Sequence, residues 1–549
     1  MATARRVTVI ANELRGFRPA GGMGAATTHL ALALSRLGHS VEILLGKRDP
    51  RSLDPQWAAR YDAAGITIRP VPQSSERVEP WEFAHPHNVM LGLREAAPDV
   101  VVAPDFGAPA YSALRLRQCG LGFEDTLFVV FCHGPRRYVL DLSPKLPVGD
   151  LRAVLGISIL EQACVELADV VVSPSTFLLD WMRAQGWRLP ERALTIPYFT
   201  EPATRTVPRP SPDPLRRLAL FGRIDERKGL KLFAEALHTL QPDLEVEFVG
   251  KTTRTWTEER VRALLPPSVE VTFAGELAQD EALERLQRPG TLVVMPSLQE
   301  NSPNVVYECL EHGIPFIASA VGGVPELVEP AALFEPSATG LAHALSRILA
   351  DGVVPPPPRA AFDRDTPSDR WREVVELRPS QRAAALPADG DMRDVLQHAQ
   401  RSSGADIVTC GARLPGGGLR FFHGDPGGLG AIENGYGTVG LVDGQLRRDE
   451  GGLWPLLAEL AASGRSIVSI PLPLAEGAVD ESPAVALCAA QALEASLAAP
   501  LRGAARLAAG LAADQRAKQS AGPAADTSAQ RPARRLSGLF GRQAHREPG

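Results

Sequence analysis

Glu300 and Glu308 stand with seven residues between them in the stretch TLVVMPSLQENSPNVVYECLEHGIPFIASAVGGVPELVE. An ionised carboxyl is acceptor-only and can take two donors, though two acids at this spacing also describe a solvated helix end. The stretch predicts a buried strand over Leu292 to Met295, a polar loop, a short helix, a second strand over Phe316 to Ala318 and a Gly-Gly turn. Ser302 and Pro303 suit the cap and first turn of a helix beginning near Asn304. Asn304 and Glu308 then lie one turn apart on one face, with Val306, Cys309 and Leu310 toward the core. Glu300 precedes that helix at the carboxyl end of a strand, where open α/β sheets hold ligands. Upstream, the strand LALFG runs into RIDERKG, so Arg223 and Lys228 also follow a strand end and can grip phosphate oxygens. Asp225 and Glu226 are interleaved with them, which equally describes a solvated charge run.

The combined pattern resembles the retaining glycosyltransferases of sequence family 4, which have the two-domain GT-B fold. The matching elements are PSLQENSPNVVYE, GIP, GGVPE and the G-R-x-x-x-x-K-G spacing at Arg223 and Lys228, and the likeness runs over roughly residues 5–378. It implies a nucleotide-diphosphate sugar as donor, with Glu300 on the donor sugar, Glu308 on the nucleotide ribose, and Arg223 and Lys228 on the diphosphate. Ser302 and Asn304 fall in the same donor-binding motif. It also implies retention of anomeric configuration and no metal or other cofactor. Similar proteins place a histidine at the end of an early strand against the donor sugar, and His133, after TLFVVFC, stands there. The expected catalytic set is therefore His133, Arg223, Lys228 and Glu300.

Other elements must position these groups. Residues 7–46 predict strand VTVIA, loop PAGGMGA, helix TTHLALALSRLGH and strand SVEILLG, a nucleotide-type βαβ unit. Gly22 and Gly24 let backbone approach a ligand, and a helix start favours negative charge. Glycogen and starch synthases have a lysine just before these glycines; Ala20 stands there, so that contact is not expected. Six prolines within 197–214 predict a stiff connector. Asp169, in LADVVVSPS, reads as a structural turn residue. The fold class expected is α/β: two Rossmann-like doubly wound domains, 1–200 and 215–378, facing across a cleft with a 201–214 linker, the last helix returning to the first domain.

Residues 386–490 resemble the second half of a family 2, GT-A type glycosyltransferase, as in fusions of family 4 to family 2 modules. Neither a strand followed by DDGS nor a metal-binding D-x-D after an apolar strand is found, and Asp389-Gly390-Asp391 has polar, turn-like surroundings. A degenerate, non-catalytic module for packing or assembly is expected. Residues 500–549 are low in complexity; 501–549 carry nine Arg or Lys and three Asp or Glu, leaving the first 500 near −12 of the total −6. This basic segment is expected to be a disordered tail, and its interspersed Leu536, Leu539 and Phe540 also suit contact with an anionic membrane surface.

At 549 residues the chain has room for two to four domains. An acidic body gives no reason to expect nucleic-acid binding. The six cysteines form no C-x-x-C, and no apolar run approaches a membrane span, so a cytoplasmic protein is expected. The activity expected is transfer of a hexose to a glycan or lipid-linked precursor. A non-catalytic donor-binding or scaffold protein, and a GT-B nucleotide-sugar epimerase, are the alternatives.

Overall fold

A computed structural model describes residues 4–17, 21–46, 49–140, 151–200, 213–380, 391–431, 433–448 and 453–477, with 479, 488 and 489. Most of the proline-rich connector, Ala20, Asp389 and Gly390, and the 500–549 tail lie outside the described residues.

Short runs of β-branched residues, apolar on both faces, are what a sheet covered by helices on each side requires. The inner strands of the first lobe are such runs, its two edge strands are only partly buried, and all seven are paired in parallel throughout. They are β1 (Arg6–Ala11), β2 (Ser40–Leu45), β3 (Thr67–Pro70), β5 (Val100–Pro104), β6 (Leu127–Phe131), β7 (Val170–Ser173) and β8 (Ala193–Thr195); the two-residue β4 (Val78–Glu79) lies elsewhere. Their order is β3-β2-β1-β5-β6-β7-β8. The second lobe repeats the plan with β9 (Arg217–Phe221), β10 (Glu245–Val249), β11 (Glu270–Gly275), β12 (Thr291–Met295), β13 (Phe316–Ser319) and β14 (Leu333–Phe334), ordered β11-β10-β9-β12-β13-β14. In each lobe the chain runs outward from a central strand, returns, and continues on its other side. The turning points are the β1–β5 and β9–β12 pairs, and a crevice opens at the carboxyl ends of such pairs.

Alternate residues serve opposite faces. Val7, Val9 and Val102 join one core, and Ile10, Val101 and Ala103 another. The first of these cores continues into the second lobe through Val293, Met295, Val306 and Trp371. Trp371 belongs to the helix Thr366–Glu376, is fully buried, and meets Phe131 edge-on at 5.4 Å. Arg5 of the first lobe ties the end of that helix by bonds of 2.7 Å to the carbonyls of Val375 and Leu377. The helix Thr366–Glu376 therefore lies against the first lobe. Asp169 is structural, as expected: it pairs with Arg117 in the interior and accepts from the Phe128 and Ser380 backbone N–H groups.

The remaining strands are β15 (Ile407–Arg413), β16 (Leu419–Arg420), β17 (Val439–Val442), β18 (Gln445–Arg448) and β19 (Ile467–Glu476). They form a mixed sheet ordered β18-β17-β15-β16-β4, with β19 on β15. Its last member, β4, belongs to the first lobe, where Leu419 and Arg420 pair with Val78 and Glu79. Leu396, Val408, Cys410, Phe421 and Ile470 share one core with Phe83, Val89 and Tyr111 of that lobe. The carboxyl-terminal segment is thus built into the first lobe's outer face. Asp391 caps the helix Met392–Ser403 by accepting from the Asp394 backbone N–H, so it has a local structural duty.

Candidate active site

The connection after β9 turns through Gly222, and Asp225 accepts from the Lys228 backbone N–H, closing a short turn that ends at Gly229. Gly229 has φ +69°, and a Cβ there would stand 1.7 Å from the Pro296 carbonyl oxygen. The turn therefore packs directly on the end of β12, and only glycine permits it. That approach brings Lys228 to the loop after β12. Its ammonium donates to Glu300 Oε1 at 2.5 Å, and Ser297 Oγ donates to the same oxygen at 2.9 Å. Gly222, Arg223, Asp225, Lys228, Met295, Ser297 and neighbouring apolar side chains line one hollow. Arg223 is mostly exposed and lies on Asp225 at 3.0 Å. Its planar group is held at the mouth and stays open to an anion from solvent.

The helix Asn304–Glu311 begins as expected, with Val306, Cys309 and Leu310 buried. Ser302 does not cap it. Pro303 holds the cap position, and Ser302 is buried with its hydroxyl 2.8 Å from Tyr307. The Tyr307 hydroxyl also accepts from the Tyr198 backbone N–H at 3.2 Å. The interior claims Ser302 because that phenol needs a partner when buried. The expected capping role of Ser302 is thus corrected: its hydroxyl serves the interior instead.

Asn304 and Glu308 both look toward the first lobe. Asn304 Nδ2 donates to the Gly22 carbonyl at 2.8 Å. Glu308 Oε1 accepts from Gln279 Nε2 at 2.5 Å and pairs with Arg15 at 3.6 Å. Burial raises the Glu308 carboxyl, and the charges of Arg15 and Lys228 oppose that rise. One helix boundary differs from expectation at the glycine loop. The helix there starts at Gly22, so Gly22 and Gly24 sit in its first turn. The Glu13 carboxylate, from the loop after β1, accepts from the Gly21 backbone N–H at 3.1 Å and serves the helix start. Gly24 lies against that same loop, where a Cβ would come within 3.1 Å of the Glu13 carbonyl carbon.

His133 stands at the end of β6, half-buried. Its Nδ1 is 2.8 Å from the Tyr198 hydroxyl, and burial lowers the imidazole to about 3, so the ring is neutral. Its backbone is pinned beneath by Asp105, which accepts from the His133 N–H at 2.8 Å and the Gly134 N–H at 3.1 Å. Asn301 bridges the lobes here: Nδ2 donates to the His133 carbonyl at 3.2 Å, and Oδ1 accepts from Ser175 Oγ at 2.5 Å. Glu326 accepts from the Thr176 and Phe177 backbone N–H groups at 2.7 and 2.9 Å, capping a helix of the opposite lobe. The lobes therefore meet along one seam; His133, Gly22, Asn304 and Glu308 stand along it, and Arg223, Lys228 and Glu300 stand at the hollow beside it.

Arg15, Gln279, Asn301, Ser297 and Tyr198 were not singled out from sequence. Arg15, Gln279 and Tyr198 lie in no spaced motif and are recruited by contacts with distant parts of the chain, whereas Ser297 and Asn301 stand within PSLQENSPNVVYE and gain their duties from Glu300 and from the opposite lobe. Among the described residues, no cluster of three His, Cys, Asp or Glu side chains has the arrangement to hold a metal ion.

Two doubly wound parallel lobes, with cations and carboxylates gathered beside the seam between them, give the chain a fold of the GT-B class. Residues 21–198 match the family described as glycosyl transferase 4-like domain, and residues 216–351 match glycosyl transferases group 1. The chain carries the two domains of a group 1 glycosyltransferase. It is 24% identical over 339 residues to an MMP alpha-(1->4)-mannosyltransferase of Mycolicibacterium hassiacum, covering 56% of this chain and 80% of that protein. It is 31% identical over 107 residues to the sulfoquinovosyl transferase SQD2 of Arabidopsis thaliana, a match spanning only 20% of that relative's length. A sucrose-phosphate synthase structure from Thermosynechococcus elongatus aligns over 68% of this chain and 94% of its own, with 22% identity and a TM-score of 0.49.

Proposed function

We propose that this glycosyltransferase is a retaining hexosyltransferase that takes a sugar from a nucleotide-diphosphate donor and places it on a glycan or a lipid-linked glycan precursor. The observation that carries the reading is the meeting of Lys228 with Glu300, from two different connections, at the edge of the hollow that Lys228 lines together with Arg223.

Cleavage of the anomeric carbon–oxygen bond leaves negative charge on the diphosphate and positive character on the sugar. Arg223 and Lys228, with the start of the helix Asn304–Glu311, stabilise the leaving group; fixed charges in a partly dry site do this without reorganising. No metal is needed in this scheme. Glu300 orients the hydroxyls of the donor sugar, and Glu308 those of the ribose. Neutral His133, held by Tyr198 and Asp105, contributes a hydrogen bond to the sugar from the opposite lobe. The acceptor oxygen bonds to the anomeric carbon on the face the phosphate leaves. Its proton passes to a phosphate oxygen, so configuration is retained and no protein nucleophile is required. The mannosyl and sulfoquinovosyl transferases named among the relatives support sugar transfer, and the present donor and acceptor are inferred only as classes.

A thermal-shift screen of UDP, GDP and ADP sugars identifies the donor, since a ligand bound only by the folded state raises Tm. With that donor, Lys228→Ala and Glu300→Ala are each expected to lower turnover about 100-fold or more, as loss of one transition-state contact does. Near-normal rates in both would remove the mechanism.

A further inference from the structure

Glu308 is gripped from both lobes, and both grips fall on a single oxygen. Gln279, in the second lobe, donates to Oε1 at 2.5 Å, and Arg15, in the loop after β1 of the first, stands 3.6 Å from the same atom. Among the described residues no hydrogen bond falls on Oε2. A carboxylate offers about four acceptor positions, so a two-sided hold on one oxygen leaves the other able to take donors.

Arg15 is itself fixed. Its backbone N–H donates to Thr28 Oγ1 at 3.0 Å, and its carbonyl accepts from the Tyr61 hydroxyl at 3.1 Å. Those two hydroxyls lie 2.9 Å apart. The guanidinium carbon stands 5.9 Å from the centre of the Trp57 ring, and the side chain is only 15% exposed. A charge held by packing and backbone bonds loses little freedom in holding another group, which is what a positioning residue requires. The same helix face places Asn304 on Gly22, one turn before Glu308, so Arg15 and the glycine turn share one side of the crevice.

We propose that Arg15 and Gln279 are positioning residues that orient Glu308 so that its Oε2 meets the vicinal ribose hydroxyls of the donor nucleotide. This rests on the donor-site reading above. It adds that ribose recognition depends on both lobes, because Arg15 and Gln279 belong to different lobes.

Isothermal titration of UDP, GDP and ADP, and of their 2′-deoxy forms, tests this on the full chain. For the nucleotide the wild-type protein binds tightest, removal of the 2′-hydroxyl is expected to weaken binding about tenfold, or about 1.4 kcal/mol. Arg15→Ala and Gln279→Ala are each expected to lose about tenfold on the ribonucleotide and to distinguish ribo from deoxy by less than about twofold, the coupling expected of groups acting together. Arg15→Lys, which keeps the charge and tests against simple misfolding, is expected to restore part of the preference. Lys228→Ala is expected to lose affinity for both forms equally. If Lys228→Ala weakens binding while Arg15→Ala and Gln279→Ala keep wild-type affinity and wild-type ribose preference, the donor site stands and this proposal falls. If none of the three nucleotides binds, both fall together.

Discussion

Glu161 and Asp105 are carboxyls that the chemistry does not touch, yet they set the loop that carries His133. Asp105 is fully buried and accepts from the backbone at Phe106, His133 and Gly134; Glu161 accepts from the Gly107 and Arg136 backbone N–H groups at 2.7 Å each. Burial raises Asp105 to about 6 and Glu161 to about 8, and the backbone donors oppose the rise. A carboxyl raised in the folded state is protonated there while the unfolded chain has released its proton. Its stabilising contribution is therefore full below the ordinary value and is lost as pH climbs to the folded value. Denaturant unfolding of the wild type is expected to show stability falling from about pH 4.5 to about pH 8, with Glu161→Gln flattening the upper part of that window. An unchanged slope in the variant would place the titration elsewhere. His133, lowered to about 3 by burial, is expected to give no ionisation step in activity above pH 5.

The site's elements depend on a few backbone contacts that admit no side chain. Gly229 lets the Lys228 turn rest on the Pro296 carbonyl, and Gly322, at φ +55°, lets the turn after β13 rest on the Glu300 carbonyl, 1.7 Å from where a Cβ would stand. Gly229→Ala and Gly322→Ala are each expected to cost about 2 kcal/mol or more, from strain at positive φ and the forced separation of the two turns. Urea unfolding measures that cost. Donor affinity should fall with it, because the displaced turns carry Lys228 and Glu300. A variant with normal stability and binding would show that the turns can move apart freely. The motif spacings around Arg223, Lys228, Glu300 and Glu308 were readable beforehand because each sits in a local strand–turn–helix pattern. Ser302 misled for the same reason: its position before a helix suits a cap, and only the buried Tyr307 hydroxyl redirects it. The helix start at Gly22 was likewise missed, since glycine disfavours a helix locally and it is Glu13, eight residues earlier, that serves the exposed N–H of Gly21.

At the level of the assembled chain, one core runs through both catalytic lobes and a second joins the first lobe to residues 391–477. That second junction also holds charge. Arg152 donates to Glu82 at 2.7 Å and to Glu433 at 2.6 and 2.7 Å, and Glu82 is wholly buried with His423 beside it. Truncation after residue 380 is expected to strip apolar cover from Phe83, Val89 and Tyr111 and to remove Glu433 and His423 from the Glu82 network. The shortened chain should precipitate or melt at markedly lower temperature, because exposed core and unpaired buried charge both weaken the folded state. A soluble truncated chain with wild-type Tm would show the segment to be an independent appendage. No helix among the described residues is long and apolar enough to cross a membrane.

The amino-acid order by itself determined the strands and helices of the two α/β lobes and the local turns that carry Arg223, Lys228, Glu300 and Glu308. These follow from periodicity, capping and spacing, which act over a few residues. Tertiary structure alone decided that Lys228 meets Glu300, that Arg15 reaches Glu308, that Asn301 joins the lobes, and that the carboxyl-terminal sheet borrows β4 from the first lobe. Each is a meeting of segments far apart along the chain, settled by which surfaces exclude water together and which buried polar groups find partners.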